Sequence, residues 1–125
     1  MIFQHTLNKV LSGEKWQTRR IIQCRIVRDD FTGHIIAIKR NGRTLYTVGK
    51  TYAVQPARGK PAVARIRITG MRLEPVTSIT IEDAIAEGFE SCEEFLNAWV
   101  EIHGKSGLNK MVWVLEFELV LEIIE

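Results

Sequence analysis

The chain contains 125 residues, of which 46% are hydrophobic and 26% are charged. This composition is typical of one globular domain with a buried core, and it argues against an intrinsically disordered protein. No apolar run reaches the roughly 18 residues of a membrane span, and the N-terminus lacks the apolar segment of a signal peptide. We therefore expect a single domain over residues 1–125 of a cytoplasmic protein, with no membrane partner.

The net charge of +2 conceals a difference between the two parts of the chain. Residues 1–72 contain 15 Lys and Arg and 3 Asp and Glu, a net charge of +12, whereas residues 73–125 contain 2 and 12, a net charge of −10. Such asymmetry indicates a basic surface for a polyanion, provided that the fold keeps the two sets of charges apart. A fold that interleaves them as salt bridges is the alternative.

The first predicted element is a short helix over residues 5–12. Its apolar residues have helical spacing, and Gly13 can end the helix in the left-handed conformation. A helix that ends there delivers Lys15 and Thr18 on the turn that follows it.

Strand-like periodicity begins after this turn and continues to residue 55. Asn41 and Gly42 separate two strand segments, residues 34–40 and 43–48. Both residues tolerate the positive φ of a type I′ turn, so the pattern predicts a β-hairpin. A further short strand is predicted over residues 51–55.

A basic loop over residues 56–60 precedes a strand over residues 62–69 whose side chains alternate cleanly. One face of this strand carries Ala and Ile residues, and the other carries Arg65 and Arg67. The two arginines therefore face either solvent or a ligand.

Two helical segments and a last strand follow. Residues 80–83 resemble a helix start, with Gly88 as the stop, and residues 91–94 form a capping box that opens a second helix. Phe95 and Trp99 are interpreted as core residues of that second helix. The chain closes with an alternating strand over residues 111–123.

This order of elements predicts an α+β fold: a small β-barrel of five to six strands, with an N-terminal helix and a helical insertion before the last strand. The absence of strand–helix–strand periodicity argues against a doubly wound fold.

The turn after the first helix groups residues that can carry chemistry. Thr18 and Arg20 are two apart, so they share one face of a strand that begins there. A lysine that is partly desolvated near an arginine can act as a general base, and it could activate the Thr18 hydroxyl. The alternative for Lys15 is a solvated, fully charged side chain.

The same segment resembles the G-x-K-x-x-[ET]-x-R signature of ASCH domains, in the sequence Gly13-Glu14-Lys15-Trp16-Gln17-Thr18-Arg19-Arg20. Three later blocks resemble the second strand and loop, the helical insertion and the closing strand of that family; they span residues 48–60, 79–99 and 112–117. The resemblance covers nearly the whole chain, and its blocks are in the family's order.

The resemblance implies a barrel related to the RNA-binding PUA domains, with a cleft for RNA or a nucleotide beside the signature. It also implies a possible reaction, because one bacterial branch of the family consists of amidohydrolases that deacetylate N4-acetylcytidine. Carried over by motif, the catalytic set is Lys15, Thr18 and Glu87. An additional stretch over residues 24–45 departs from that branch, and the alignment near Glu87 needs a gap. A solvent-facing carboxylate at a helix end is therefore the alternative for Glu87.

Three functions remain open from the sequence: an RNA- or nucleotide-binding module, an amidohydrolase, and a protein-interaction module coupled to transcription. The binding hypothesis adds eight candidate ligand-binding residues: Trp16, Arg19, Arg20, Gln55, Arg58, Lys60, Arg65 and Arg67. Trp16 is predicted to stack on a base or else to pack beneath the turn. No cofactor or metal is expected, because the histidines lack ligand spacing and the two cysteines form no paired motif.

Overall fold

The fold was taken from a computed structural model, which describes the backbone of residues 1–122 and the side chains of residues 1–120. It contains three helices in this range: α1 (Leu7–Ser12), α2 (Ile81–Ala86) and α3 (Cys92–His103). Single 3₁₀ turns at Val76–Ser78 and Lys105–Asn109 flank the last two helices. No helix in this range is long and apolar enough to cross a membrane.

Seven strands accompany these helices in the described part of the chain: β1 (Gln17–Arg20), β2 (Arg25–Arg28), β3 (Ile35–Arg40), β4 (Arg43–Thr47), β5 (Thr51–Val54), β6 (Ala64–Pro75) and β7 (Met111–Glu122). They form an antiparallel four-stranded sheet in the order β1-β7-β6-β5 and an antiparallel three-stranded sheet in the order β2-β3-β4. The predicted α+β barrel with an N-terminal helix and a helical insertion before the last strand is confirmed, with seven strands in the described residues instead of the five to six expected. The last residue of the strand predicted over residues 111–123 lies outside the described residues.

The local signals of the sequence produce the expected turns and caps. Gly13 is left-handed (φ 82°) after α1, and Asn41 and Gly42 have the positive φ values, 53° and 75°, of a type I′ hairpin turn. Thr80 and Asp83 form a reciprocal capping box at the start of α2.

Two strands differ from the sequence-based expectation. β2 is short, and its mostly exposed residues show no alternation of apolar and polar side chains, so the sequence does not define it as a separate strand. β6 runs six residues beyond Thr69, to Pro75. The ladder between β6 and β7 changes register between Ile68 and Gly70, which breaks the alternation although the pairing continues.

The core lies on both sides of the long β6–β7 ribbon. One cluster packs α1 and β3 against the barrel sheet around Ile38, Ile66 and Ile68, and the other packs α3 through Phe95 and Trp99. The prediction that these two aromatic residues belong to the core is confirmed.

The first cluster predicts a large loss of stability in Ile68→Ala. Ile68 is fully buried, and removal of its side chain leaves a cavity, so the free energy of unfolding should fall by about 2–5 kcal/mol. Ile85→Ala is the matched control, because Ile85 is 55% exposed, and its effect should stay within about 0.5 kcal/mol. Urea unfolding measures both variants. Equal midpoints for the two variants would contradict this description of the core.

Candidate active site

An open cavity of about 790 Å³ lies where the N-terminal residues, the end of α1, β1, the α2–α3 connection and α3 meet. Lys15, Thr18 and Glu87, the catalytic set predicted from the resemblance, all line it. The fold therefore brings together residues that are up to 72 positions apart in the sequence.

Lys15 and Glu87 form a buried ion pair at the base of this cavity. The Lys15 Nζ atom is 2.6 Å from Oε2 of Glu87 and 3.1 Å from its backbone oxygen. Both side chains are almost completely buried, with exposed fractions of 6% and 3%. The alternative of a solvent-facing Glu87 is therefore wrong, as is that of a solvated Lys15.

Local backbone structure holds the two residues in place. After the left-handed Gly13, the N–H of Lys15 donates to the backbone oxygen of Lys9, and the N–H of Trp16 donates to that of Ala86. Glu87 is the last residue of the turn that ends α2, and its N–H donates to the backbone oxygen of Asp83.

The backbone conformation directly after Glu87 favours glycine, because Gly88 has a left-handed φ of 94°. A Cβ atom there would also displace the flexible side chain of Lys9, whose Cδ would be 2.9 Å away. The Lys9 ammonium crosses this glycine and donates to its carbonyl oxygen. The α2–α3 connection thus contacts the end of α1 through Gly88 and Lys9, next to the Lys15–Glu87 pair.

Burial raises the pKa of the Glu87 carboxyl above its ordinary value, although the positive charge of Lys15 and its hydrogen bond act in the opposite direction. The second carboxylate oxygen, Oε1, is buried and has no hydrogen-bond partner among the described residues. Glu87 can therefore still accept a hydrogen bond or a proton within the site.

Thr18 and Arg20 share the cavity face of β1, as their spacing predicts. Nε of Arg20 lies 3.4 Å from the Thr18 hydroxyl oxygen, and its Nη2 donates to the backbone oxygen of Ile2 at 2.9 Å. The guanidinium also lies 5.3 Å from the centre of the Phe3 ring. In this state the Lys15 ammonium donates to Glu87 and makes no hydrogen bond to Thr18 within residues 1–120.

The opposite face of β1 carries Gln17 and Arg19, which anchor the strand to α2. Arg19 is a predicted ligand-binding residue, but its guanidinium is fully buried and pairs with Glu74 and Asp83 at 3.0 and 3.1 Å. Gln17 donates to Asp83 as well. Arg19 is among the residues that line the cavity, but its guanidinium belongs to a structural network with Glu74 and Asp83.

The remaining predicted ligand-binding residues lie outside the lining of the cavity: Trp16, Gln55, Arg58, Lys60, Arg65 and Arg67. Trp16 is 44% exposed, so it does not pack beneath the turn. Arg65 donates to Thr51 and Arg67 pairs with Glu118, whereas the Gln55 side chain donates to the backbone of the basic loop.

Sequence reasoning missed the aromatic part of the cavity. Phe3, Phe89, Phe95 and Trp99 line it, together with His103, whose ring centre is 4.0 Å from that of Trp99. Phe95 and Trp99 carried a helical core signal, but Phe3 precedes the first helix and belongs to no periodic segment. Its position depends on the backbone bond from its N–H to Gln55, a contact between distant segments.

Comparison with known proteins identifies the fold. No family model and no curated protein matches the sequence. A crystal structure of a DUF984-family protein from Enterococcus faecalis V583 superposes with a TM-score of 0.58 at 20% identity, over 94% of this chain and 71% of that one. An ASCH domain from Lactobacillus crispatus JV V101 superposes with a TM-score of 0.55 at 19% identity, over 92% and 70%.

The chain has the ASCH-domain fold. The family resemblance seen in the signature segment is thereby supported at the level of structure. At 19–20% identity the likeness extends to the fold alone. The activity has to be argued from the cavity of this chain.

The hydrogen-bonded network around Asp83 predicts that the stability of the protein is sensitive to acid. The Asp83 carboxylate is partly buried, which alone would raise its pKa, but hydrogen bonds from Gln17, Thr80 and Arg72 outweigh burial and hold the pKa well below its usual range. A carboxyl whose pKa is lower in the folded than in the unfolded state adds stability above the unfolded value, about 3.9, and loses it as the pH falls through the folded value.

Asp83→Asn should therefore lower the free energy of unfolding near neutral pH, and the gap to the wild type should close as the pH falls below about 4. Denaturant unfolding across pH measures this gap. Glu82→Gln, at the exposed neighbouring position of α2, is the control and should leave the pH dependence unchanged. A gap that is constant with pH would mean that Asp83 acts by packing rather than by charge.

Proposed function

We propose that this ASCH-fold chain is an amidohydrolase that removes the acyl group from an N-acylated nucleobase, such as that of N4-acetylcytidine. Lys15, Thr18 and Glu87 are the proposed catalytic residues. The observation that carries the proposal is the buried Lys15–Glu87 pair on the same cavity wall as the Thr18 hydroxyl.

The pair supplies a route for the proton. In a poorly solvated site the charged and neutral forms of a lysine–carboxylate pair are closer in free energy than they are in water. The raised pKa of Glu87 favours transfer of a proton from the Lys15 ammonium to Glu87, across the 2.6 Å contact. The resulting neutral amine can then act as a general base towards Thr18.

Thr18 is the proposed nucleophile. Lys15 removes the hydroxyl proton while Oγ1 forms a bond to the acyl carbon, and the carbon–oxygen double bond becomes an oxyanion. When the oxyanion collapses, the carbon–nitrogen bond breaks and the leaving nucleobase amine takes the proton from Lys15. Water then attacks the acyl ester on Thr18, which releases the carboxylic acid and restores the hydroxyl.

Two further features of the cavity suit this reaction. The Arg20 guanidinium, next to Thr18, can stabilise the negative charge of the oxyanion. Phe89 and His103 are the aromatic side chains of the lining that remain accessible to a base, and about 790 Å³ lies within the usual range for small-molecule sites. Lys15 and Thr18 are not hydrogen-bonded in this state, and such contacts commonly tighten only when substrate binds.

A nucleotide- or RNA-binding module without turnover is the second candidate function. Arg20 and Lys9 favour it, since both cations line the same cavity and either can approach a phosphate. The two candidates differ in one observable, release of acetate.

Thr18→Val is the sharpest test of the reaction. It removes the hydroxyl at nearly constant volume and leaves the Lys15–Glu87 pair intact, so kcat/KM for N4-acetylcytidine should fall at least about 100-fold. Chromatography of cytidine and acetate measures it. Thr69→Val, at an exposed position of β6, should retain full activity. Full activity in Thr18→Val would exclude the proposed nucleophile, and tight nucleoside binding without turnover by the wild type would favour the second candidate.

The pH dependence of kcat/KM tests the proton route. Glu87 must be ionised to accept the proton of Lys15, so activity should fall as the pH drops through its pKa. Because burial raises that pKa, the acid limb should lie above the ordinary glutamate value of about 4.3. Glu87→Gln cannot accept the proton and should lose both activity and the acid limb. If the residual kcat/KM of this variant still falls at the same acidic pH, a group other than Glu87 is responsible for the acid limb.

A further inference from the structure

The three-stranded sheet β2-β3-β4 carries positive charge that the rest of the described protein does not neutralise. Arg25, Lys39, Arg40 and Arg43 are all exposed on it. Each salt bridge within residues 1–120 involves Lys15, Arg19, Arg67 or Arg72 as the cation, so none involves these four residues. The acidic residues of the second half therefore make their salt bridges outside this sheet, and the four cations on it stay unpaired within residues 1–120.

Strand pairing places these cations against one another. Arg25 is directly opposite Lys39, and Arg40 is directly opposite Arg43. Like charges at opposed positions destabilise a sheet, since nothing local offsets their repulsion. Positions where a sequence breaks such a local rule are the positions where function is expected.

The same sheet borders an open groove that adjoins the cavity. We define the hairpin groove by the residues that line it, which are Ile21, Gln23, Cys24, Arg25, Lys39, Arg40, Asn41 and Gly42. Ile21 lines both the groove and the cavity of Lys15 and Thr18, and Arg20 is its neighbour in sequence. A ligand whose reacting part occupies the cavity can thus continue into the groove.

We propose that the hairpin groove binds the phosphate backbone of a single-stranded RNA whose acylated base enters the cavity. The choice of strand rests on the proposed function, which places a ribonucleoside base in the cavity. Arginine and lysine side chains bind phosphates well, and the unpaired cations of the groove match a polyanion in charge. A single strand fits better than a duplex, because a base in a duplex must first be unstacked to enter a pocket.

The test compares two double variants that remove equal charge. Lys39→Gln with Arg40→Gln changes the hairpin groove, whereas Lys105→Gln with Lys110→Gln changes exposed lysines outside the lining of both sites. Fluorescence anisotropy of a short, unacetylated, labelled RNA oligonucleotide is measured across a series of salt concentrations. For a single strand each phosphate contact contributes about −0.7 to the slope of log affinity against log salt.

We expect the groove variant to bind the oligonucleotide about tenfold more weakly at low salt and to lose about 1.4 from the magnitude of the slope, with the control unchanged. Its turnover of free N4-acetylcytidine should equal that of the wild type. It should also be at least as stable as the wild type, because the substitutions relieve like-charge repulsion; a purely structural role would predict a loss.

Each failure has a distinct signature. Equal affinity and slope in the groove variant and the wild type would overturn this inference and leave the amidohydrolase proposal standing, if the free nucleoside is hydrolysed. Binding of anionic phospholipid vesicles but not of RNA would overturn it as well. Groove-dependent RNA binding without any hydrolysis would support the surface and exclude the proposed function.

Discussion

The buried ion pair between Lys15 and Glu87 is the constraint on which the site depends. It joins segments 72 residues apart, and both charges have left water almost completely. Such a pair is tolerated only where geometry and further hydrogen bonds offset the cost of desolvation. Here the ammonium also donates to the carbonyl of Glu87, at the end of α2. The pair therefore joins the end of α2 to the turn that carries Lys15.

Side chains alternate along β1, so the residues proposed to take part in the reaction and the residues that hold the strand in place lie on opposite faces. Thr18 and Arg20 face the cavity, whereas Gln17 and Arg19 on the other face hold Asp83. Asp83 belongs to α2, the helix whose end carries Glu87. α2 is thus bound to β1 through Asp83, and to the turn that precedes β1 through the ion pair between Glu87 and Lys15. Residues held by packed and hydrogen-bonded neighbours keep the fixed geometry that a reactive site requires.

The sequence predicts the parts of this arrangement that depend on neighbouring residues. Gly13, the Asn41-Gly42 turn and the α2 cap follow from local conformational preference, and the shared face of Thr18 and Arg20 follows from strand geometry. The burial of Glu87 does not follow, because it depends on a contact with Lys15 across 72 residues of sequence. Nor does the role of Arg19, whose partners come from β6 and α2. Such contacts depend on tertiary packing, and no periodic pattern in the sequence indicates them.

The charge asymmetry of the chain leads to salt bridges in the barrel and to unpaired cations on the three-stranded sheet. In the barrel, acidic residues from the second half pair with arginines from the first, as with Arg67 and Glu118 or Arg72 and Glu116. On the three-stranded sheet the cations have no such partners within residues 1–120. Unpaired cations suit the proposed RNA site, because a carboxylate bound to these arginines would compete with phosphate for them. The proposed proton transfer requires an ion pair that is shielded from water, whereas binding of a polyanion requires solvent-exposed cations without salt bridges. The buried Lys15–Glu87 pair meets the first condition, and the exposed cations of the three-stranded sheet meet the second.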